Sequence, residues 1–301
     1  MLISDIFSQK DLVLSFEIFP PKKAAALENI DATLAQLCRL NPDFISVTCG
    51  AGGTDQNHAP IEDRTIDVGR RIKNDYGIEP LIHLTCLNYD KADIVTILEK
   101  LRAESLLNIL ALRGDAAEGI VPKNDFAHAK DLIAFVREQG GFTLGGACYP
   151  ETHLEAADRV SDIRFLRQKV DEGASFLISQ IFFENELFFD FVERCRIAGI
   201  DVPIEAGVMP VTNKAQIERI VSLCGATLPA KFRRILDRYA DKPEALMDAG
   251  IAYAINQIVD LIASGVDGVH IYTMNKPQVA ARICEGIENL IDRSPAQESF
   301  A

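Results

Sequence analysis

Short apolar runs alternate with longer amphipathic stretches along the whole chain. The run at 107–115, Leu-Asn-Ile-Leu-Ala-Leu-Arg-Gly-Asp, shows the pattern, because apolar residues lead directly into a polar tip. Near-continuous hydrophobic runs are typical of parallel strands whose two faces are both covered by helices. The sequence therefore predicts an α/β protein in which the polar strand ends carry the chemistry.

Eight strands and the helices between them follow from this pattern. The strands are predicted at 12–19, 44–49, 80–86, the run within 107–115, 142–149, 176–182, 202–208 and 267–272. The helices are predicted at 24–40, 61–76, 91–103, 126–138, 154–172, 186–198, 214–223, 230–239, 243–264 and 277–291. This alternation favours a (β/α)8 TIM barrel with extra helices between strands 7 and 8, with a doubly wound open sheet as the alternative. No linker interrupts it, so a single domain over 1–301 is expected.

The composition indicates a soluble protein with small-molecule partners. The 301 residues are 48% hydrophobic and 25% charged, with a net charge of -13. An acidic balance disfavours binding to nucleic acid or to an anionic membrane surface. The sequence lacks an apolar stretch of about 18 residues and a basic leader, so neither a membrane span nor a signal peptide is expected. Seven cysteines without a Cys-x-x-Cys pair favour reduced thiols and a cytoplasmic location.

The predicted strand ends concentrate polar side chains at one face of the barrel, where catalytic residues gather in this fold. They carry Glu17, Thr48, His83, Thr85, Arg113, Asp115, Tyr149, Gln180 and Tyr272. Glu17 lies between two apolar residues, and burial favours the protonated form of a carboxyl, which suits a general acid. A solvent-facing or structurally paired glutamate is the alternative.

Other candidates also have purely structural interpretations. Asp115 follows a turn, where helix caps and loop ion pairs are common. His83 has no second histidine at ligand spacing, so a metal site is not predicted and a buried core histidine is the alternative. Asp162 and Lys169 lie in a predicted helix, where a solvated face is the usual interpretation. The residues taken singly leave these alternatives open.

Nine segments follow one another in a specific order over nearly the whole chain. They are Ser-Phe-Glu-Ile-Phe-Pro-Pro-Lys at 15–22, Ser-Val-Thr-Cys-Gly-Ala-Gly-Gly at 46–53, His-Leu-Thr-Cys at 83–86, Ala-Leu-Arg-Gly-Asp at 111–115, Tyr-Pro-Glu-Thr-His at 149–153, Lys-Val-Asp-Glu-Gly-Ala at 169–174, Ser-Gln-Ile-Phe-Phe at 179–183, Gly-Val-Met-Pro at 207–210 and Tyr-Thr-Met-Asn at 272–275. This ordered set resembles the flavin-dependent methylenetetrahydrofolate reductases of the bacterial type.

The resemblance implies a barrel that holds FAD, which NADH or NADPH reduces and 5,10-methylenetetrahydrofolate reoxidises to give 5-methyltetrahydrofolate. Both substrates would use one site in turn, in a ping-pong cycle of one-carbon metabolism and methionine biosynthesis. Glu17 matches the family acid that protonates the folate and opens its imidazolidine ring to an iminium ion. Asp115 matches the aspartate beside the flavin, which stabilises that cation. The preferred nicotinamide and the physiological direction stay open.

The remaining site residues are also carried over from the resemblance. It assigns FAD contacts to Thr48, Cys49, Ala51, His83, Arg113, Gly114, Asp115, His128, Ala129, Tyr149, His153, Ala156, Asp162 and Lys169, and substrate contacts to Glu17, Thr48, Gln180, Tyr272 and Lys276. Arg113 and Lys169 would supply the positive charge that a pyrophosphate needs.

The chain departs from the family pattern at four positions. Lys214 and Lys276 replace a frequent aromatic residue and a frequent arginine, and Cys49 and His128 stand where aromatic residues are frequent near the flavin. No C-terminal regulatory domain is expected, and a homo-oligomer is expected from the family. Alternatives from other classes are a different flavin-dependent barrel, such as a proline dehydrogenase, and a non-redox barrel lyase or binding protein.

Overall fold

The computed structural model describes residues 1–21, 27–49, 61–114, 123 and 125–291. Eight parallel strands in this part of the chain form a closed barrel, in which each strand pairs with the next and the eighth pairs with the first. This confirms the predicted (β/α)8 barrel and excludes the open sheet.

The strands are β1 (Val13–Ile18), β2 (Phe44–Val47), β3 (Glu79–Thr85), β4 (Asn108–Leu112), β5 (Thr143–Cys148), β6 (Phe176–Ser179), β7 (Ile204–Val208) and β8 (Gly268–Tyr272). The helices are α1 (Ile3–Gln9), α2 (Leu27–Cys38), α3 (Ile61–Tyr76), α4 (Lys91–Ala103), α5 (Ala129–Gln139), α6 (Arg159–Asp171), α7 (Asn185–Ile197), α8 (Lys214–Cys224), α9 (Ala230–Arg238), α10 (Pro243–Ala263) and α11 (Pro277–Gly286), and a 3-10 turn follows at Glu288–Leu290.

Helix α1 closes the amino-terminal end of the barrel and was not predicted. Its Ile3 and Ile6 are buried, and its Phe7 ring lies 5.6 Å from that of Phe176 and 6.4 Å from that of Phe44, between ring centroids. The backbone N–H of Ile3 donates to the side chain of Asn108 at 2.8 Å. The helix has only seven residues, so its hydrophobic period is too short to be distinctive.

The barrel interior changes from apolar to polar along its axis. Phe44 and Phe176 fill the end next to α1. Ser15, Glu205 and His270 lie further along and are almost completely buried. Side chains alternate between the two faces of a strand, so the polar residues of β1 face inward while Phe16 and Ile18 pack against the surrounding helices.

Helices α8, α9 and α10 are the extra helices predicted between strands 7 and 8. They enclose a second apolar cluster at the carboxyl ends of β6 and β7, which contains Phe183, Met209, Val211, Ile217 and Phe232. Helix α10 is the one described helix that is long and apolar enough to cross a membrane by length and composition, which corrects the expectation that no such stretch exists. In this fold it packs against β7 and the neighbouring helices.

Helix α6 begins five residues later than predicted, at Arg159 rather than 154. The Asp158 side chain caps its first turn by accepting a hydrogen bond from the backbone N–H of Ser161 at 2.7 Å. Thr152 has a φ of 81°, which turns the chain away before the helix can start. Residues 149–157 therefore form a loop over the strand ends rather than the first turns of a helix.

Candidate active site

A cleft opens beside the carboxyl ends of β4 and β5, between α5 and α6. It encloses about 940 Å³, including the space at its open mouth. Eight of the predicted FAD contacts line it: Arg113, His128, Ala129, Tyr149, His153, Ala156, Asp162 and Lys169. Carboxyl ends of strands and the helices behind them thus bring together residues that are up to 56 positions apart in the sequence.

Arg113 closes one side of this cleft through a two-pronged ion pair with Glu155. Its two terminal nitrogens lie 2.5 and 2.8 Å from the two carboxylate oxygens. The hydrogen bond with Arg113 lowers the pKa of Glu155, so this pair is charged at neutral pH. The arginine fork is thus held in place at the cleft by an anion, and a phosphate could use the same geometry.

Lys169 supplies a second cation from the middle of α6. Its Nζ donates to the backbone carbonyl of Ala147 at 2.9 Å, which directs the ammonium group towards the end of β5. Burial lowers the pKa of Lys169, and the electrostatic attraction of the Asp162 carboxylate opposes that shift. The interpretation of Lys169 as a purely solvated helix residue is therefore wrong.

Asp162 and His153 form the opposite part of the cleft. The backbone N–H of His153 donates to the Asp162 carboxylate at 3.2 Å, and burial raises the pKa of that carboxyl. The His153 ring packs edge-on against Tyr149, with 4.6 Å between ring centroids, and its Nδ1 accepts from the backbone N–H of Glu155 at 3.1 Å. Asp162 therefore fixes the loop that carries His153, Glu155 and Ala156.

Glu17 projects into the polar part of the barrel and is only 8% exposed. Its Oε2 lies 3.7 Å from Nε2 of His83 and 4.0 Å from Nε2 of His270. Burial lowers the pKa of His83 to about 4, so this histidine is neutral near pH 7. Glu17 thus lies between two imidazoles in a poorly hydrated site, and its solvent-facing alternative is wrong.

The backbone around Glu17 is held by the segment after β8. Thr273 donates through its hydroxyl to the Glu17 carbonyl at 2.7 Å. The Asn275 side chain accepts from the Phe19 N–H and donates to the Phe19 carbonyl, both at 2.9 Å. The segment 272–275 therefore fixes the carboxyl end of β1.

Two buried polar atoms near Glu17 have no hydrogen-bond partner among the described residues. They are Oγ1 of Thr48 and Nε2 of His83. Buried polar atoms are nearly always satisfied, so such atoms at strand ends are suited to contact a bound molecule. Gly114 has a φ of +82°, and a side chain there would come within 2.9 Å of Cβ of Thr85, so the backbone after β4 also needs glycine.

Three of the predicted substrate contacts, Gln180, Lys276 and Tyr272, make side-chain hydrogen bonds within the protein. The Gln180 side-chain carbonyl accepts from the N–H of Ile181 at 2.8 Å, and Lys276 donates to the Thr212 hydroxyl at 2.6 Å. The Tyr272 hydroxyl donates to the backbone carbonyl of Ser179 at 2.7 Å, and its ring lies where a side chain on Gly207 would clash. Tyr272 is therefore engaged by the fold itself. Lys214 pairs with Asp237 of α9 at 2.7 Å.

Several predictions lie outside the residues that line the cleft. Asp115 and Ala51 belong to the segments that the structure does not describe. Cys49 directly follows the buried Thr48 at the end of β2. No group of three or more His, Cys, Asp or Glu in the described ranges is arranged to hold a metal ion, and no disulfide joins the seven cysteines, all of which are described.

Sequence reasoning missed residues in both parts of the site. Glu155, Lys130 and Phe165 line the cleft, and no local pattern distinguishes them from surface residues. Glu205 and His270 lie inside the barrel, and each is a polar residue within an apolar strand. That is the signal that identified Glu17, and it could have found both.

The family model and the similar proteins found by sequence comparison agree on one family. The model of the methylenetetrahydrofolate reductase family matches residues 2–288. The chain is 33% identical to 5,10-methylenetetrahydrofolate reductase of Escherichia coli, over 92% of this chain and 90% of that protein. It is also 33% identical to methylenetetrahydrofolate reductase (NADH) 1 of Arabidopsis thaliana, over 99% of this chain and 52% of that protein.

The chain therefore spans about half the length of the plant relatives and nearly all of the bacterial ones. A solved structure from Clostridium thermocellum, described as binding two copies of 5-methyl-5,6,7,8-tetrahydrofolic acid, has the same fold, with a TM-score of 0.65, 15% identity and coverage of 96% of this chain and 99% of that one. On the match to the family model and the bacterial relatives, this chain belongs to the methylenetetrahydrofolate reductase family.

Proposed function

We propose that this protein reduces 5,10-methylenetetrahydrofolate to 5-methyltetrahydrofolate, with NADH or NADPH as the reductant and FAD as the bound cofactor. FAD would accept hydride from the nicotinamide and pass it to the folate in a second half-reaction, so that the two substrates use the site in turn. The observation that carries the proposal is the position of Glu17, a buried carboxyl at the barrel mouth among residues of the family motifs.

The cleft between α5 and α6 fits the phosphate-bearing part of a dinucleotide. Arg113 and Lys169 place two cations at its walls in a protein of net charge -13. The cleft also has apolar lining from Ala129, Phe165 and Leu166, which suits the flat rings of such a cofactor. The Thr48 hydroxyl and the His83 imidazole nitrogen, which have no hydrogen-bond partner among the described residues, are the polar atoms suited to the flavin end.

Glu17 is the proposed proton donor to the folate. Opening the imidazolidine ring requires a proton on the departing nitrogen, and a buried carboxyl at the barrel mouth is placed to supply it. The imidazoles of His83 and His270, 3.7 and 4.0 Å from Oε2 of Glu17, are placed to approach its carboxylate after the proton has left. Asp115 is proposed, from the family motif, to stabilise the positive charge on the folate, and Gln180 to contact the folate and the nicotinamide.

The test is to follow flavin absorbance in the purified protein through both half-reactions. A yellow protein should be bleached by NADH or NADPH under anaerobic conditions, and 5,10-methylenetetrahydrofolate should restore the absorbance. Proline or pyrroline-5-carboxylate should have no effect. Absence of bound flavin, or recovery only with the proline pair, would overturn the proposal in favour of a different flavin-dependent barrel or a non-redox protein.

A further inference from the structure

A continuous row of polar side chains runs inside the barrel from Glu17 towards the closed end. Its deepest member is Glu205 of β7, which is 0% exposed. Glu205 Oε1 lies 2.6 Å from the Ser15 hydroxyl oxygen, which lies 2.5 Å from Nδ1 of His270. Nε2 on the other side of that imidazole faces Glu17 at 4.0 Å and the Ser46 hydroxyl at 3.4 Å.

Glu205 is fully enclosed, and no Lys or Arg among the described residues forms an ion pair with it. The ionisable groups that act on it are His270 on β8, whose Nδ1 lies 3.9 Å from Oε2, and the acidic residue Asp43 just before β2. Burial raises the pKa of Glu205 well above its usual range, and Asp43 adds to that shift. A fully buried carboxyl with no Lys or Arg paired to it among the described residues is more stable protonated than ionised, so Glu205 has a proton to donate.

The position of that proton follows from the hydrogen-bond partners. Oε2 of Glu205 has no partner among the described residues, whereas Oε1 is in contact with Ser15. A buried donor without an acceptor is rarer and less favourable than an acceptor without a donor, so the proton belongs on Oε1. Ser15 then accepts from Glu205 and donates its own hydrogen to Nδ1 of His270, because a hydroxyl has only one hydrogen.

We propose that Glu205 is a positioning residue: acting through Ser15, it holds His270 in the tautomer whose N–H is on Nε2, so that the imidazole presents a hydrogen-bond donor to Glu17. This donor stabilises the Glu17 carboxylate once the proton has passed to the folate, a consequence that rests on the proposed function. The tautomer itself does not depend on that function.

The groups that face His270 are consistent with this tautomer. Glu17 and His83 lie on its Nε2 side, the Tyr272 ring packs edge-on with 5.0 Å between centroids, and the Phe44 ring stacks from the closed end. The Ser46 hydroxyl lies 3.4 Å from Nε2 and can accept from Nε2–H. Oε2 of Glu205 also faces Nδ1, but at 3.9 Å it is too far away for a hydrogen bond, so Ser15 is the partner of Nδ1.

The decisive measurement is the tautomer of His270 in the whole protein, read from long-range 1H–15N correlations after 15N-histidine labelling. The chain has five histidines, so the His270 signals can be assigned by their loss in His270→Asn. We expect a protonated Nε2 and an unprotonated Nδ1 at pH 7.5. A protonated Nδ1 in the unaltered protein would overturn the proposal without any variant.

Two substitutions at Glu205 separate positioning from packing. Glu205→Gln keeps a donor for Ser15 and should keep the tautomer and the folate half-reaction rate within about twofold. Glu205→Leu keeps the volume but removes the donor, so it should shift the tautomer towards Nδ1–H. It should also slow flavin reoxidation by methylenetetrahydrofolate roughly tenfold, with flavin reduction by NADH unchanged within about twofold.

Ser15→Ala should act like Glu205→Leu, and the double variant should be no worse than either, because the two residues act as one unit. An unchanged tautomer in Glu205→Leu, or equal losses in the Gln and Leu variants, would contradict the proposal. If the tautomer responds as expected but the unaltered protein shows no folate half-reaction, the proposed function fails while the positioning of His270 stands.

Discussion

Arg113 and Glu155 form a two-pronged ion pair at the cleft between α5 and α6, with nitrogen–oxygen distances of 2.5 and 2.8 Å. The pair holds the guanidinium in a fixed orientation and also places a negative charge where a phosphate group is expected. Glu155 is well exposed, so its interaction with Arg113 is easily exchanged for one with a ligand. Glu155 therefore orients the Arg113 guanidinium and also competes with a ligand phosphate for it.

Removing the competing charge should strengthen FAD binding. Glu155→Gln is expected to lower the FAD dissociation constant severalfold, whereas Lys169→Met should raise it roughly tenfold, or about 1.4 kcal/mol. Quenching of flavin fluorescence on titration into flavin-free protein measures both. Glu172→Gln breaks another arginine–glutamate pair, with Arg137 between the far ends of α5 and α6, and serves as the control. Weaker binding by Glu155→Gln would contradict this assignment.

The stability of the protein should fall at mildly acidic pH because of His83. Its pKa is about 4 in the fold and near 6.5 in the unfolded chain, so the unfolded state binds the proton first as the pH falls. The contribution of His83 to the free energy of unfolding is fully present above pH 6.5. It falls by up to about 3 kcal/mol as the pH is lowered towards 4.

Denaturant unfolding between pH 4.5 and 8 tests this. His83→Asn should have a shallower pH dependence than the unaltered protein, while His128→Asn, at an exposed position, should leave the dependence unchanged. Parallel curves for all three proteins would show that His83 is not the group responsible.

The sequence predicts the barrel well because its strands are nearly continuous apolar runs that end at glycine, proline or polar residues. It fails for α1, where Ile3 and Ile6 provide a single helical repeat whose burial depends on the distant Phe44 and Phe176. Only the closed barrel creates the space that this short helix fills.

The residues of the candidate site also differ in whether the sequence alone can identify them. Glu17 is recognisable locally as an acid within an apolar strand, and the family motifs identify the cleft residues. Glu155 is not recognisable, since its place depends on the left-handed turn at Thr152 and on the late start of α6. Contacts between strands, such as Ser15 opposite His270, depend on register, which a single sequence does not reveal.

Helix α1 should contribute to stability but not to chemistry. Ile3 is 0% exposed, so Ile3→Ala is expected to lower the free energy of unfolding by about 3 kcal/mol. Ile197→Ala, at a residue that is 80% exposed, should change it by less than about 0.5 kcal/mol. Denaturant titration gives both values. An equal effect of the two substitutions would show that α1 does not seal the barrel.

The Tyr272 hydroxyl is bonded to the backbone carbonyl of Ser179, so its loss should affect stability more than substrate binding. Tyr272→Phe is expected to lower the free energy of unfolding by about 1 kcal/mol and to leave both KM values within about twofold. Tyr253→Phe is the matched control, because that hydroxyl also donates to a backbone carbonyl at 2.7 Å, from α10 to Phe183. A KM for the folate that rises tenfold in Tyr272→Phe alone would instead indicate that this hydroxyl contacts the substrate.

Glu17 is the proposed proton donor of the folate half-reaction, and Glu17→Gln removes that proton with little change in shape. Gln cannot donate that proton, although it has nearly the same shape. Stopped-flow absorbance of the flavin should show reduction by NADH within about threefold of the unaltered rate and reoxidation by 5,10-methylenetetrahydrofolate slowed by roughly 10³-fold. Reoxidation at the normal rate, or an equal decrease in the rates of both half-reactions, would show that Glu17 is not the proton donor to the folate.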